Sequence, residues 1–185
     1  VSNLKLAVDD NAKILGLKVN TTANLGAYLS NFAPFVATDA GVSMLVGCYS
    51  IPTAYVEVKG VFTNTAPVDA YRGAGRPEAI YAIERLLDVA AYDLGVTPAE
   101  IRKRNFIPGS AMPFQTALGS NYDSGEFEQN LDDALVAANW GDFEPRRTNA
   151  LSRGKLLGIG LASYIERCAG GSPEQARLEV SNQGH

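Results

Sequence analysis

Residues 70–78 read Ala-Tyr-Arg-Gly-Ala-Gly-Arg-Pro-Glu. Arg72 and Arg76 bring two guanidinium forks, and Gly73 and Gly75 let backbone N–H groups come close to a bound molecule. Pro77 suits the first turn of a helix, whose N-terminus holds unpaired donors. Such a segment suits an anionic or strongly hydrogen-bonding ligand. It is not a phosphate loop ending in Gly-Lys-Ser/Thr, nor the dinucleotide pattern G-x-G-x-x-G. The same residues also make a tight turn whose arginines pair with nearby carboxylates. On residue types alone that structural use is the commoner one.

The remaining chemistry-bearing residues carry less. Glu166 can face a cleft, although a solvated carboxylate at a strand end is the usual case. Arg102 and Arg104 can reach phosphates, but a cationic last turn facing the helix dipole explains them equally. Asp123 or Ser124 is most simply a helix cap. Cys48 and Cys168 lie too far apart for a zinc ribbon or a disulfide framework, and read as two reduced, buried thiols of a cytoplasmic protein. His185 is the single histidine and the last residue, which excludes histidine metal sites and Ser-His triads.

The elements that must hold these residues follow from periodicity. Residues 3–8 and 14–25 alternate as two strands joined by Asp9-Asp10-Asn11, a hairpin. Residues 27–46 are apolar with Gly, Pro and Ser, which suggests one or two short helices in a long connection. Residues 54–62 alternate as a third strand. Ala79, Ile80, Ile83, Leu86, Leu87, Ala90 and Ala91 fall at helical spacing in the clearest helix, with Glu84, Arg85 and Asp88 expected on the opposite side and Gly95 suited to a left-handed position past its end. Thr97 and Glu100 form a capping box that opens a short helix to about Asn105. A loop spans 108–121, and a third helix runs from near Ser124 to about Trp140. Residues 146–154 read as a polar linker and domain boundary. Residues 156–165 read as a strand with two glycines, and 177–180 as the start of its partner. Strands and helices alternate without a regular βαβ rhythm, so the fold expected is mixed α+β.

The bulk properties narrow the partners. The 185 residues are 46% hydrophobic and 19% charged, enough for one ordinary core or one domain plus the edge of a second. A net charge of -4 and pI near 5.0 argue against nucleic acid. No run of 18 apolar residues occurs, and residues 1–10 lack the order of a secretion signal. The chain opens without Met inside a strand and stops at Asn182-Gln183-Gly184-His185, which reads as an internal piece of a longer protein.

Residues 63–69, Thr-Asn-Thr-Ala-Pro-Val-Asp, followed by the segment at 70–78, resemble the signature of molybdenum hydroxylase large subunits, the xanthine dehydrogenase and carbon monoxide dehydrogenase type family. The likeness keeps one register over nearly the whole chain. It includes Ala23-Asn24-Leu25-Gly26-Ala27-Tyr28, Ile101-Arg102-Lys103-Arg104-Asn105-Phe106-Ile107-Pro108, Met112-Pro113-Phe114, Tyr122-Asp123-Ser124-Gly125 and Gly158-Ile159-Gly160-Leu161-Ala162. It implies an α+β molybdenum-cofactor-binding domain, with residues 1–150 in a first subdomain and 151–185 beginning a second. The implied activity is hydroxylation of an aldehyde or N-heterocycle with water-derived oxygen. The implied cofactor is molybdenum on a pyranopterin, in the bacterial form a cytosine dinucleotide, with iron–sulfur clusters and FAD on partner subunits.

The family pattern assigns Arg72 to the substrate, and Gly73, Ala74 and Gly75 to the loop passing the molybdenum. Gln183, in Gln183-Gly184-His185, resembles the start of a later cofactor segment. Carbon monoxide oxidisers carry a copper-binding cysteine in an AYRCSFR loop where this chain has Gly73, so carbon monoxide is not the expected substrate. The upstream G-G-x-F-G segment and the downstream base-glutamate segment are absent, so the chain alone is not expected to turn over. Two other readings stand beside this one: a non-catalytic binding or assembly module, and a small anion-binding domain built on the turn at Arg72–Arg76.

Overall fold

The computed structural model describes residues 1–166 and 175–183. Alternating Leu4, Leu6 and Val8 turn one face of β1 (Ser2–Val8) toward the core. The Asp9 carboxylate accepts the Asn11 and Lys13 N–H groups at 2.9 and 2.8 Å, closing the turn into β2 (Ile14–Gly26). The two strands are antiparallel, with Leu4 opposite Val19 and Leu6 opposite Leu17. β3 (Ala54–Phe62) joins β2 in parallel, with Val56 beside Val19, so the sheet order is β1-β2-β3. The outer face carries exposed Lys5, Lys18, Glu57 and Lys59, the usual division of a sheet wet on one side.

The inner face is covered by helices and by the connection between β2 and β3. That connection holds a single helical turn, α1 (Ala33–Phe35), then a π-helical turn (Val36–Ala40), and it buries Met44, Leu45, Val46 and Tyr49. Buried Ala79, Ile83, Leu87 and Ala91 recur every fourth residue along α2 (Arg76–Leu94). Gly95, at φ 67°, ends that helix in the left-handed conformation. Both bonds of the expected capping box are present at the start of α3 (Pro98–Asn105): Thr97 Oγ1 accepts the Glu100 N–H at 3.1 Å, and Glu100 accepts the Thr97 N–H at 2.8 Å. The buried Asn105 side chain donates to Ala12 and Ile101 carbonyls and accepts from the Ile14 N–H, which stitches hairpin to helix.

Arg102 lies in the cationic last turn of α3, as expected, but its side chain points into the core rather than toward a phosphate. It is fully buried, with Nε 2.8 Å from Glu84 and a terminal nitrogen 3.0 Å from Asp88. It also donates to the carbonyls of Glu84, Pro98 and Leu161. Tyr49 donates its hydroxyl to the other Glu84 oxygen, and Ser163 donates its N–H to Glu84 at 2.8 Å. Arg104 instead holds the Asn11 carbonyl on the surface.

Beyond α3 several expectations change. β4 (Phe114–Gln115) and β5 (Asn121–Tyr122) form a short antiparallel pair inside the expected loop. α4 (Phe127–Ala137) starts three residues after Ser124, and the Ser124 hydroxyl donates to Asp123, so neither residue is the cap. Phe127 packs near Phe106, which is stacked on Tyr49 with ring centroids 5.5 Å apart. Residues 146–152 are not a linker but lie in a helix, α5 (Phe143–Ser152). Arg146 drives that outcome by donating to the Ala138, Asn139 and Asp142 carbonyls, satisfying the open end of α4.

Residues 156–165 form no strand, and 177–180 supply no partner to them among the described residues. The Leu161 carbonyl and the Ser163 N–H and carbonyl bond to Arg102, Glu84 and Cys48 side chains, so no ladder is needed to satisfy these groups. Leu161 and Ile165 pack on the core, and this segment is a strap across it. The mixed helix-and-sheet architecture matches the α+β expectation.

Two outcomes follow. Arg102→Met leaves the Glu84 carboxylate buried without its cation and should cost about 3–5 kcal/mol in chemical denaturation, part of it recovered by adding Glu84→Gln. A loss under about 1 kcal/mol would refute a central role for the pair. Burial, helped by Glu84, pushes the Cys48 thiol from 9.0 to about 12, and burial pushes the Tyr122 hydroxyl from 10.0 to about 12. From about pH 9 for Cys48 and about pH 10 for Tyr122, up to about pH 12, the unfolded chain therefore releases protons that the folded chain keeps, so stability falls as pH rises, by up to about 1.4 kcal/mol per pH unit for each group. Denaturation midpoints across that range should decline, and less steeply in Cys48→Ala. Cys168 lies outside the described residues.

Candidate functional site

The approach to residue 70 is built by backbone against backbone. Gly26, at φ 82°, ends β2 where a Cβ would lie 2.4 Å from Pro67 Cα, so only glycine lets the two segments meet. The Thr63 N–H donates to the Gly26 carbonyl at 2.9 Å and the Ala27 N–H to the Thr65 carbonyl at 3.0 Å. Asn24 accepts from the Gly26 N–H and the Thr63 hydroxyl, and its amide donates to Thr65. Ser30 donates its hydroxyl to the Val68 carbonyl. Asn24, Gly26 and Ser30 were not singled out by residue chemistry. The Asn-x-Gly spacing of an Asx turn was the available signal.

The turn itself closes through Ala74 N–H to Tyr71 O at 2.8 Å and Arg76 N–H to Gly73 O at 2.9 Å. Gly75 is buried at φ 89°, and a Cβ there would sit 2.6 Å from the Val36 carbonyl oxygen and 2.8 Å from the Gly41 nitrogen. Gly73, at φ 73°, is different: an added Cβ would meet nothing nearer than 3.8 Å. The Glu78 carboxylate accepts the Gly75 N–H at 3.0 Å, so the start of α2 is capped by its own acid.

The two arginines have opposite fates. Arg76 is mostly buried, with Nε 3.3 Å from Glu166 Oε1 as an ion pair off the hydrogen-bond line. Arg72 is exposed, and among the described residues its guanidinium has no hydrogen bond or ion pair. Tyr71 beside it is 79% exposed. The turn thus presents Tyr71 and Arg72 outward and holds Arg76 inward.

Glu166 also lines a cleft of about 600 Å³ with Asp39, Ser43, Ser120, Asp123 and Ser124. Among the described residues no cationic side chain lines it, and neither do Arg72 and Gln183. Arg72, Gly73, Ala74 and Gly75 stand together in one turn. Gln183 is exposed at the far end of the chain, its N–H donating to the Ser181 hydroxyl. Among the described residues no group of three or more His, Cys, Asp or Glu is placed to hold a metal ion, and no helix is long and apolar enough to cross a membrane.

Comparison with known proteins meets this geometry. The chain is 32% identical over 189 residues to the gamma subunit of the 6-hydroxypseudooxynicotine dehydrogenase complex of Paenarthrobacter nicotinovorans, covering all of this chain and 24% of that protein. It is 39% identical over 167 residues to the carbon monoxide dehydrogenase large chain of Hydrogenophaga pseudoflava, covering 88% of this chain and 21% of that one. Among solved structures, quinoline 2-oxidoreductase from Pseudomonas putida 86 superposes with a TM-score of 0.76 at 32% identity, over 83% of this chain and 20% of that one. The chain therefore spans about a fifth to a quarter of the length of these relatives. The model of the molybdopterin cofactor-binding domain matches residues 1–106, more than half of the chain, and the chain belongs to that family.

Proposed function

We propose that this chain forms one wall of the cofactor site in a larger molybdenum hydroxylase, an oxidoreductase that hydroxylates an aldehyde or N-heterocycle with water-derived oxygen. The observation that carries the reading is the division of labour in the turn. Its backbone is locked by Gly75, Glu78 and Arg76, while Arg72 projects outward without a counter-charge among the described residues. The residues present fit a molybdopterin group at this place, because the open side of Gly73 leaves the backbone approachable and Arg72 offers a planar fork of donors. When bound, the cofactor would supply the two-electron oxidation.

The chain's own residues would then position and stabilise. Arg72 orients the substrate and stabilises negative charge that develops on it, and Gly73, Ala74 and Gly75 lie along the cofactor. Gln183 contributes from a second subdomain that begins near residue 151, just as α5 ends. The relatives' names, gamma subunit of a complex and large chain, support assembly with partner subunits, here read as iron–sulfur and FAD subunits in the cytoplasm. A cytosine dinucleotide form of the cofactor completes the reading. A free-standing anion site is less well supported, since Glu78 already occupies the helix N-terminus.

Two measurements on the complete native polypeptide, co-expressed with its neighbouring subunits, test this. Stoichiometric molybdenum supports the enzyme, and a consistently empty site favours a non-catalytic binding module. Against a panel of aldehydes and N-heterocycles, Arg72→Lys should lower turnover by roughly ten- to a thousandfold, the range for losing one preorganised donor, while its melting temperature barely moves. Arg76→Ala should instead lower the melting temperature. Unchanged turnover in Arg72→Lys would remove Arg72 from the active site. With Gly73 offering no thiolate, added copper should elicit no carbon monoxide oxidation.

A further inference from the structure

The strap at residues 156–166 reaches from the buried ion pair to the turn. Its inner part is anchored by core side chains: Arg102 donates to the Leu161 carbonyl at 3.3 Å, Glu84 accepts the Ser163 N–H at 2.8 Å, and the Cys48 thiol approaches the Ser163 carbonyl at 3.7 Å. Leu161 and Ile165 pack beside these bonds. Three residues past Ser163, Glu166 reaches the turn: one carboxylate oxygen is 3.3 Å from Arg76 Nε, and the other lies on the open side of Gly73, 3.8 Å from where a Cβ would stand.

The pairing with Arg76 matters mechanically. Arg76 is the first residue of α2 and donates its N–H to the Gly73 carbonyl, so a force on its guanidinium is felt across the turn. Gly73 holds a positive φ with no side chain of its own to restrict it, which leaves its conformation to its neighbours. The Arg76 Nε is buried, so an ionic partner close by is worth more there than on open surface.

We propose that Glu166 is a positioning residue: it clamps Arg76, and with it the Arg72–Gly75 turn, to a strap that the buried Glu84–Arg102 pair holds in place. The direction of Arg72 is then set from the far side of the core, by residues that touch neither substrate nor cofactor. The importance of that direction for catalysis rests on the function proposed above, whereas the clamp itself does not.

The test is amide hydrogen exchange on the complete native polypeptide, read separately for peptides covering residues 69–76 and 83–94. Glu166→Gln keeps the size and removes the charge. Exchange at 69–76 should rise about two- to fivefold, what a partly exposed ion pair supports, with 83–94 unchanged. Arg76→Lys should give a similar rise, and the double variant should be no worse than either single. The charge swap Glu166→Arg with Arg76→Glu should restore slow exchange in the turn, a rescue that loss of bulk packing would not produce. Unchanged exchange at 69–76 in Glu166→Gln, additive effects in the double variant, or no recovery in the swap would each overturn the clamp. Failure of the functional reading registers elsewhere, as a silent Arg72→Lys, so the two remain distinguishable.

Discussion

A guanidinium with no exposed surface is the constraint around which the described structure is arranged. Taking Arg102 out of water costs several kcal/mol unless its donors find acceptors and its charge finds a partner. Those acceptors come from three places: the Glu84 and Asp88 side chains, one turn apart on α2; the Pro98 carbonyl at the start of α3; and the Leu161 carbonyl on the strap. One charge therefore ties two helices and an irregular segment together. Tyr49 extends the network to the long connection, and its ring stacks on Phe106 at the end of α3.

The turn at Arg72 depends on that arrangement through contacts of a different kind. At Gly26 and Gly75 the backbone runs so near another backbone that a methyl group would collide, which fixes the turn against β2 and the π-helical segment without side chains between them. Two arginines four residues apart then diverge. Arg76 is drawn inward to Glu166, whereas Arg72 is left facing out beside Tyr71. Residue type alone does not separate such roles. The separation comes from where a carboxylate arrives, and the strap delivers it.

Local signals in the sequence specify their elements, whereas distant interactions leave no local trace. The hairpin, the third strand, the main helix with its glycine terminator and the capping box all announce themselves within a few residues, through period-2 or period-3.6 patterning and through side chains that bond their own backbone. Residues 156–165 have the composition of a strand, yet the Leu161 carbonyl and the Ser163 amide and carbonyl are claimed by Arg102, Glu84 and Cys48 from elsewhere in the chain. Residues 146–152 have the composition of a linker, yet Arg146 finds the unpaired carbonyls at the end of α4 and a helix results. Arg102 carries the charge of a phosphate ligand and is instead the centre of the core.

By itself, then, the sequence determined the elements whose stabilising partners lie close along the chain, the mixed α+β class, and the glycine-arginine turn as the segment proposed to present chemistry. The tertiary structure decided which arginine faces outward, that Glu166 meets the turn, and that a strand-like segment becomes a strap. The physical reason is common to all three. Whether a buried charge or backbone group is satisfied depends on what comes within hydrogen-bond reach in space, and apart from the Pro98 carbonyl, four positions before Arg102, the partners named for Arg102, Glu84 and Glu166 are 14 to 90 positions away along the chain.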